Sequence, residues 1–297
     1  MLETFRRHHI QATFFVETLQ RYYFKNDPMA AIAQRIHAAG HDVQLHSHPC
    51  WTLFQRDDWW ERSRDQRALD DYKGRSVVDS IRFLEQGIAT FQDWGLPHPL
   101  VFRSGNLQHD DNLYQAIAHV GIPYSSNVAM AICDSEDARY KLYSGRHERH
   151  GVHEFPVLTF ADWKIGKKQH LKSLTIAGSS FHETRKLLEK ARQADIELVV
   201  ILTHPFEYVH NQGLTFTKTL PHSLTQRRLR QLCAFLEDND DRFEACGLAQ
   251  AAATLPAGDS ANTLLSGSLW DAVPRMVSQV AHERYGRWML ERKYGNG

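Results

Sequence analysis

Short apolar runs alternate along the chain with stretches whose apolar residues recur at helical spacing. The runs predict strands at residues 11–16, 42–45, 100–102, 122–125, 153–158, 198–202 and 243–246. The amphipathic stretches predict helices at residues 28–39, 76–94, 110–120, 181–194, 224–236 and 270–293. Alternation of this kind predicts a parallel sheet with helices outside it, either a barrel or a doubly wound sheet.

Several segments carry more specific signals. Pro28 stands near the start of its helix and Gly40 is a plausible C-terminal stop. Residues 198–202 (LVVIL) predict a fully buried, β-branched strand. Residues 51–72, rich in Asp, Arg and Trp, predict a long polar loop with helical turns.

The C-terminal part is set off by a turn-rich stretch at residues 255–267. We therefore expect one domain over residues 1–256, followed by a linker and a helical extension over residues 257–297. An accessory helix packed on the domain is the favoured interpretation of the extension. A contact with a partner or a second copy is the other.

Composition narrows the class of protein. The chain has 297 residues, 42% of them hydrophobic and 24% charged, which is typical of a soluble globular protein with a sizeable core. Lys and Arg total 35 and so do Asp and Glu, so bulk charge gives no support for binding nucleic acid or membranes. Four cysteines without a CxxC pair favour reduced thiols. With no apolar signal core and no membrane span, we expect a cytoplasmic protein.

Three polar clusters directly follow apolar runs. They are His46-Ser47-His48, Arg103-Ser104-Gly105-Asn106 and Thr203-His204-Pro205. In parallel α/β folds, ligands and catalysis gather at the carboxyl ends of the strands. Because 18 histidines are present, only this placement raises a particular one above the rest.

The first cluster is a candidate metal site. In an extended segment, residues two apart point the same way, so His46 and His48 can converge on one ion. Histidines that cap a strand end and bond to backbone carbonyls are an equally good interpretation. Cys50 is either a soft ligand or, more commonly, a small buried residue.

The other clusters offer acid–base and cationic groups. His204 is either a core histidine held by a backbone group or a general acid or base. Arg103 must pair with an acidic group or a substrate oxygen, because burying it alone is very costly. Asp162 is a candidate partner for His204 or Arg103, although an ordinary loop aspartate is the favoured interpretation.

Four motifs, in order and at similar spacing, resemble the polysaccharide deacetylases, the NodB-homology or carbohydrate esterase family. They are ATFFVE at residues 12–17, GHDVQLHSHP at 40–49, FRSGNLQHDDNLYQAIAHVGI at 102–122 and LVVILTHPFE at 198–207. The resemblance covers residues 12–255. It implies an irregular (β/α) barrel of the NodB-homology type with a C-terminal helical extension.

The resemblance also implies a metal-dependent hydrolase that removes acetyl groups from sugars. His46 would bind the metal, usually zinc or a similar divalent ion, and Arg103 would orient a catalytic aspartate. His204 would be the general acid. The second ligand would be His48, since Cys50 stands where the common motif has its second histidine.

The chain departs from the family at its start. The family's first motif, a pair of acidic residues on a strand before ATFFV, is not found in residues 1–11. We therefore expect the first strand, the general base and the carboxylate ligand to be missing. Residues 1–9 resemble the helix that follows that strand, which favours truncation over loss of catalysis.

The expected function is removal of acetyl groups from N-acetylated sugars or a polysaccharide precursor. Asn106 and Trp163 are candidate substrate-binding residues, although packing is the favoured interpretation of any single tryptophan. Hydrolysis of a non-sugar amide C–N bond is an alternative. A catalytically inactive carbohydrate-binding homologue is another.

Overall fold

A computed structural model describes residues 1–65, 70–166, 168–213, 216–256 and 258–295. Residues 66–69 of the predicted polar loop, and residues 257, 296 and 297 of the predicted extension, lie outside the described residues.

Nine helices form in the described residues. They are α1 Leu2–Arg7, α2 Pro28–Ala38, α3 Trp59–Asp65, α4 Val77–Asp93, α5 Asp111–His119, α6 Phe181–Gln193, α7 Ser223–Glu237, α8 Leu248–Thr254 and α9 Leu269–Tyr294. All six predicted helices are confirmed within two residues at each end.

Local sequence explains where these helices begin and end. Ser76 accepts a hydrogen bond from the backbone of α4, and Asp110 does the same for α5. Ser180 and Glu183 form a capping box at the start of α6. Gly40, with φ of 82°, follows α2 in the left-handed conformation that glycine adopts readily.

Eleven strands form in the described residues. They are β1 Thr13–Glu17, β2 Asp42–Ser47, β3 Val101–Ser104, β4 Tyr124–Ser125, β5 His147–Arg149, β6 Val152–Glu154, β7 Thr159–Ile165, β8 Lys168–Ser173, β9 Val209–Gln212, β10 Lys218–Pro221 and β11 Leu265–Ser266.

The main sheet has six strands in the order β1-β2-β3-β4-β6-β5. Every pair from β1 to β6 is parallel, and β5 pairs antiparallel with β6 at the edge. The predicted mixed α/β fold with a parallel sheet is therefore confirmed. Two smaller sheets, β11-β7-β8 and β10-β9, complete the described strands.

The largest core cluster fills the space between this sheet and helices α2, α4 and α5. Leu45 and Phe102 of the sheet, Leu84 of α4 and Ile117 of α5 are all fully buried there. A second cluster packs Phe5 of α1 with side chains of α6 and α7. Phe14 of β1 packs against both clusters, so the helices of both lie against the same face of that strand. The carboxyl ends of the strands remain as the edge where side chains can meet.

Two strand predictions are wrong. Residues 198–202 form isolated bridges rather than a strand: Val200 pairs with Val157 and Leu202 with Thr175. Residues 198–201 are only partly buried, and Leu202 is buried. Residues 243–246 form no strand and lead directly into α8.

The α9 helix is attached to the rest of the molecule through a buried ion-pair cluster. Arg275 donates to Asp162 of β7 at 2.9 and 3.1 Å and to Glu183 of α6 at 2.8 Å. All three side chains are almost fully buried. Elsewhere α9 exposes apolar side chains, among them Trp270, which is 88% exposed. Among the described helices, none combines the length and apolar character needed to cross a membrane.

Candidate metal centre

The carboxyl ends of β1, β2 and β3 place three polar residues in one row. Glu17 is the register partner of His46, and His46 is the register partner of Arg103. Parallel strands end at the same edge of a sheet, so neighbours in register stand side by side. The row therefore sets a carboxylate, an imidazole and a guanidinium group next to each other.

Glu17, His46 and His48 form a group able to hold a metal ion. One ligand atom of each lies within 4.8 Å of those of the other two. The rings of His46 and His48 are perpendicular, with centroids 4.9 Å apart. Two imidazoles and a carboxylate are a ligand set that suits zinc.

His46 is oriented by the backbone of the neighbouring strand. Its Nδ1 lies 2.8 Å from the carbonyl oxygen of Arg103. A carbonyl can only accept, so Nδ1 donates and Nε2 keeps its lone pair for a ligand. Burial lowers the pKa of His46 to about 3, and the nearby charges of His48, Arg103 and His204 act in the same direction. His46 is thus a neutral imidazole at physiological pH.

His48 is oriented by a carboxylate. Its Nδ1 donates to Oδ2 of Asp70 at 2.8 Å, and the Asn106 amide donates to the same oxygen at 2.7 Å. Burial acts to lower the pKa of His48, but the hydrogen bond and charge of Asp70 outweigh it and leave the pKa raised. The ring also lies against Gly105, where a Cβ would fall 2.6 Å from Nδ1. A side chain at residue 105 would displace His48.

The Glu17 carboxylate is buried, and only one of its two oxygens has a hydrogen-bond partner among the described residues. Oε1 accepts the backbone N–H of Leu19 at 2.7 Å, whereas Oε2 has no hydrogen-bond partner among the described residues. Burial raises the pKa of Glu17 to about 8, although the charge of His48 and the Leu19 N–H act in the opposite direction. A buried carboxylate oxygen without a partner, beside two imidazoles, fits a cation.

Arg103 is held by neutral groups and an aromatic ring. It donates to the carbonyl oxygen of Ser126 at 2.9 Å and to its hydroxyl at 2.7 Å. The guanidinium carbon lies 4.2 Å from the centroid of Phe15. Burial lowers the pKa of Arg103 to about 10, while the charge of Glu154 opposes this change.

His204 reaches the same edge from the segment that follows Leu202. Its charge contributes to the lowered pKa of His46, which places the two rings in one electrostatic environment. Its Nδ1 lies 3.2 Å from Oε1 of Glu207, and its ring stacks on Phe206. The side chain is 46% exposed.

Three other residues singled out in the sequence lie in different surroundings. Asp162 pairs with Arg275, so its partners are not His204 or Arg103. Trp163 belongs to β7 in a separate sheet and stacks on His170 at 5.8 Å. Cys50 lies beside Asp70, and burial together with its hydrogen bond to Asp70 raises the pKa of the thiol.

Sequence reasoning missed Glu17 and Asp70. The signal for Glu17 was present, because it is an acidic residue at the end of the apolar ATFFV strand, next to the histidine strand. Asp70 gave no such signal, since the polar loop at residues 51–72 contains several carboxylates at no regular spacing.

Comparison with known proteins agrees with this architecture. Residues 1–125 match the family model of polysaccharide deacetylases, which confirms the resemblance found in the motifs. Among curated proteins, the sequence comparison finds no significant match.

The comparison with solved structures finds the following two proteins among its matches. A candidate polysaccharide deacetylase from Mycobacterium smegmatis shares 14% identity, with 88% of this chain and 79% of that chain covered and a TM-score of 0.51. A family 4 carbohydrate esterase from Streptomyces lividans, in complex with acetate, shares 11% identity, with 88% of each chain covered and a TM-score of 0.41. At this identity, the Mycobacterium smegmatis structure shows a shared fold.

Proposed function

We propose that the protein is a metal-dependent deacetylase that removes acetyl groups from N-acetylated sugars or a polysaccharide precursor. The observation that carries the proposal is the meeting of Glu17, His46 and His48 beside Arg103. The family match over residues 1–125 supports the same chemistry.

Glu17 supplies the carboxylate ligand that the motif comparison did not find. Its partnerless Oε2 and the free Nε2 atoms of His46 and His48 together form a set of one oxygen and two nitrogens. Zinc or a similar divalent ion, when bound, polarises a carbonyl oxygen and lowers the pKa of water.

Asp70 is the proton acceptor of the proposed reaction. Burial acts to raise the pKa of Asp70, but hydrogen bonds from His48 and Cys50 outweigh it and keep the pKa lowered. Its Oδ1 is buried and lacks a hydrogen-bond partner among the described residues. The group is therefore charged at neutral pH, with one oxygen available for a proton from the attacking water.

His204 is the proton donor to the leaving amine. Its Nδ1 is engaged by Glu207, which fixes the ring and leaves Nε2 to protonate the leaving group. Thr203 also donates to Glu207, at 2.9 Å, so the orienting carboxylate is itself held in place. Arg103 contributes fixed positive charge at the edge where the acetyl oxygen becomes negative.

The proposal includes the shape of the domain. The parallel sheet from β1 to β6 continues through single bridges at Val157–Val200 and Leu202–Thr175, as the wall of an irregular (β/α) barrel would. In the described part of the chain, β1 pairs only with β2, and a further strand pairing with β1 would extend the wall on that side. The site then lies at the mouth of the barrel.

Acetate release tests the proposal directly. Metal-stripped protein is reloaded with zinc and incubated with N-acetylglucosamine oligomers, and with N-acetylated non-sugar amides for comparison. We expect acetate from the sugars only, and a loss of about 10²–10⁴ in kcat for His204→Gln with metal content unchanged. His119→Gln, an exposed histidine on α5, is the matched control.

Two results would overturn the proposal. One is zinc-loaded protein that releases no acetate from any N-acetylated sugar. The other is His204→Gln with wild-type turnover. Preferential hydrolysis of the non-sugar amides would move the proposal to amide C–N hydrolysis.

A further inference from the structure

A second group of histidines lies between β9, α7 and α9. We call His210 of β9, His222 at the start of α7 and His282 of α9 the histidine cluster. One ligand atom of each lies within 4.8 Å of those of the other two. The ring centroids are 4.3, 4.7 and 5.3 Å apart.

A carboxylate stands beside the histidine cluster. Oε1 of Glu283 lies 3.0 Å from Nε2 of His222, and Oε2 lies 3.9 Å from Nδ1 of His210. The group borders a cleft of about 610 Å³ that is also lined by Gln279 and Arg287, so an ion can enter from solvent. Three imidazoles and one carboxylate provide four ligands for a tetrahedral ion.

The packing of α9 is built around one of these rings. At Gly286, a Cβ would fall closer than 3.0 Å to three ring atoms of His210. Glycine inside a helix is unfavourable by about 1 kcal/mol relative to alanine. The close approach of α9 to the His210 ring explains why glycine occupies residue 286, since any larger residue would clash with the ring.

Burial favours the neutral form of two of the three imidazoles, His210 and His282. Burial lowers the pKa of His210, and the charges of His222 and His282 act in the same direction. Burial likewise lowers the pKa of His282, with His222 adding to the effect. Neutral imidazoles carry the lone pairs that a metal ion needs.

We propose that His210, His222 and His282, completed by Glu283, bind one zinc ion that fastens α9 to β9 and α7. This site shares no residue with the proposed catalytic ion, and its ligands come from three elements, β9, α7 and α9. Imidazole suits zinc better than it suits magnesium or calcium.

The surroundings allow the small contraction that binding requires. Zinc–nitrogen bonds of about 2.0–2.1 Å place tetrahedral ligand atoms about 3.4 Å apart. His282 is held only by long contacts from Leu224 N–H and Ser223, at 3.3 and 3.4 Å. Nδ1 of His222 accepts the Thr225 backbone N–H at 3.2 Å and lies 2.9 Å from Thr225 Oγ1. Binding through Nε2 gives up the bond from the N–H and leaves Thr225 Oγ1 as the acceptor of the Nδ1 proton.

Zinc stoichiometry separates this site from the catalytic one. Each protein is equilibrated with zinc, passed through a desalting column and measured by inductively coupled plasma mass spectrometry. We expect two ions per chain in the wild type and one in His46→Ala/His48→Ala. We also expect one in His282→Ala and none when all three substitutions are combined. His119→Ala should retain two.

The pattern of losses tells the two proposals apart. One ion in the wild type that disappears in His282→Ala but remains in His46→Ala/His48→Ala supports the histidine cluster and refutes the catalytic ion. One ion that disappears only in His46→Ala/His48→Ala means that the histidine cluster is a hydrogen-bonded group without metal, which overturns this inference.

Hydrogen exchange gives a second readout that does not depend on activity. In His46→Ala/His48→Ala, added zinc should slow exchange of α9 amides at least tenfold, because the ion binds only the docked helix. His282→Gln, which keeps a polar side chain of similar size, guards against a folding defect in His282→Ala. Exchange in α9 that is unchanged by zinc in the His46→Ala/His48→Ala protein would refute the proposal.

Discussion

The Glu17 carboxylate lies where its charged form is unfavourable until a cation stands beside it. Its Oε2 is buried without a hydrogen-bond partner among the described residues, and burial raises its pKa to about 8. In the ion-free protein at neutral pH, Glu17 therefore carries a proton that metal binding must displace. Apparent metal affinity should rise with pH up to about 8 for this reason.

Glu17 also makes the stability of the ion-free protein depend on pH. The folded state keeps this proton up to about pH 8, whereas the unfolded chain releases it near the ordinary value of 4.5. The folded state binds more protons between these values, so stability falls as pH rises through this window, by at most about 1.4 kcal/mol per pH unit.

Substitution of Glu17 by glutamine should remove that slope. We expect the ion-free wild type to lose stability relative to Glu17→Gln between about pH 5 and pH 8. Urea denaturation at a series of pH values, with chelator present, measures the difference. A constant difference across this range would show that Glu17 is not buried as described.

Gly105 tests whether the position of His48 controls the site. Gly105→Ala would place a Cβ 2.6 Å from Nδ1 of His48 and break the hydrogen bond to Asp70. Loss of such an orienting contact typically lowers metal affinity about 10–100-fold. Isothermal titration calorimetry with zinc, in the His282→Ala background, measures the affinity of the site formed by Glu17, His46 and His48. Unchanged affinity would mean that His48 is not a ligand, and near-ultraviolet circular dichroism checks that the fold is retained.

Among the elements, α9 depends on one buried arginine. Arg275 joins Asp162 and Glu183, and its removal leaves two buried carboxylates without their cation. We expect Arg275→Ala to lower the free energy of unfolding by about 3–5 kcal/mol. Arg284→Ala, an exposed arginine of the same helix, should change it by less than about 0.5 kcal/mol. Equal, small effects in chemical denaturation would contradict this role of Arg275.

Helices were easier to predict from sequence than strands because their signals are local. Ser76, Asp110 and Ser180 each mark a helix start by a side chain that bonds within its own first turn. Residues 198–202 have the composition of a strand, but pairing depends on where residues 157 and 175 lie. Residues 168–173, which form β8, are mostly polar, so no apolar run indicated them.

The residues of the candidate site also differ in whether local sequence could predict them. His46, His48, Arg103 and His204 could be predicted because each follows an apolar run and the ends of parallel strands meet at one edge. Asp70 could not, because the path of a long polar loop decides which of its carboxylates reaches His48. The pairing of Asp162 with Arg275 joins residues 113 positions apart in the chain, and neither lies in a recognisable motif.

At the scale of the whole molecule, the proposed ligands are distributed so that only the folded chain can assemble them. Glu17 and His46 are brought together by the pairing of β1 with β2, and the histidine cluster is brought together by the docking of α9. An unfolded chain has neither arrangement. Ion binding and folding are therefore thermodynamically linked at both places.

This linkage gives a prediction for the strand-end site in isolation. In the His282→Ala protein, each tenfold increase in zinc above the dissociation constant should raise the free energy of unfolding by about 1.4 kcal/mol. Thermal unfolding across a zinc series, with chelator as the starting point, measures the slope. Magnesium at equal concentrations should have little effect, because it prefers ligand sets made of oxygen.

The increase in the free energy of unfolding with zinc should also depend on the Glu17 carboxylate. Adding Glu17→Gln to His282→Ala removes the only charged ligand of the proposed set and keeps the side-chain volume, so the response to zinc should shift to concentrations more than about 100-fold higher. If the double variant follows the same curve as His282→Ala, the two histidines bind zinc without Glu17. The carboxylate ligand would then have to come from another residue.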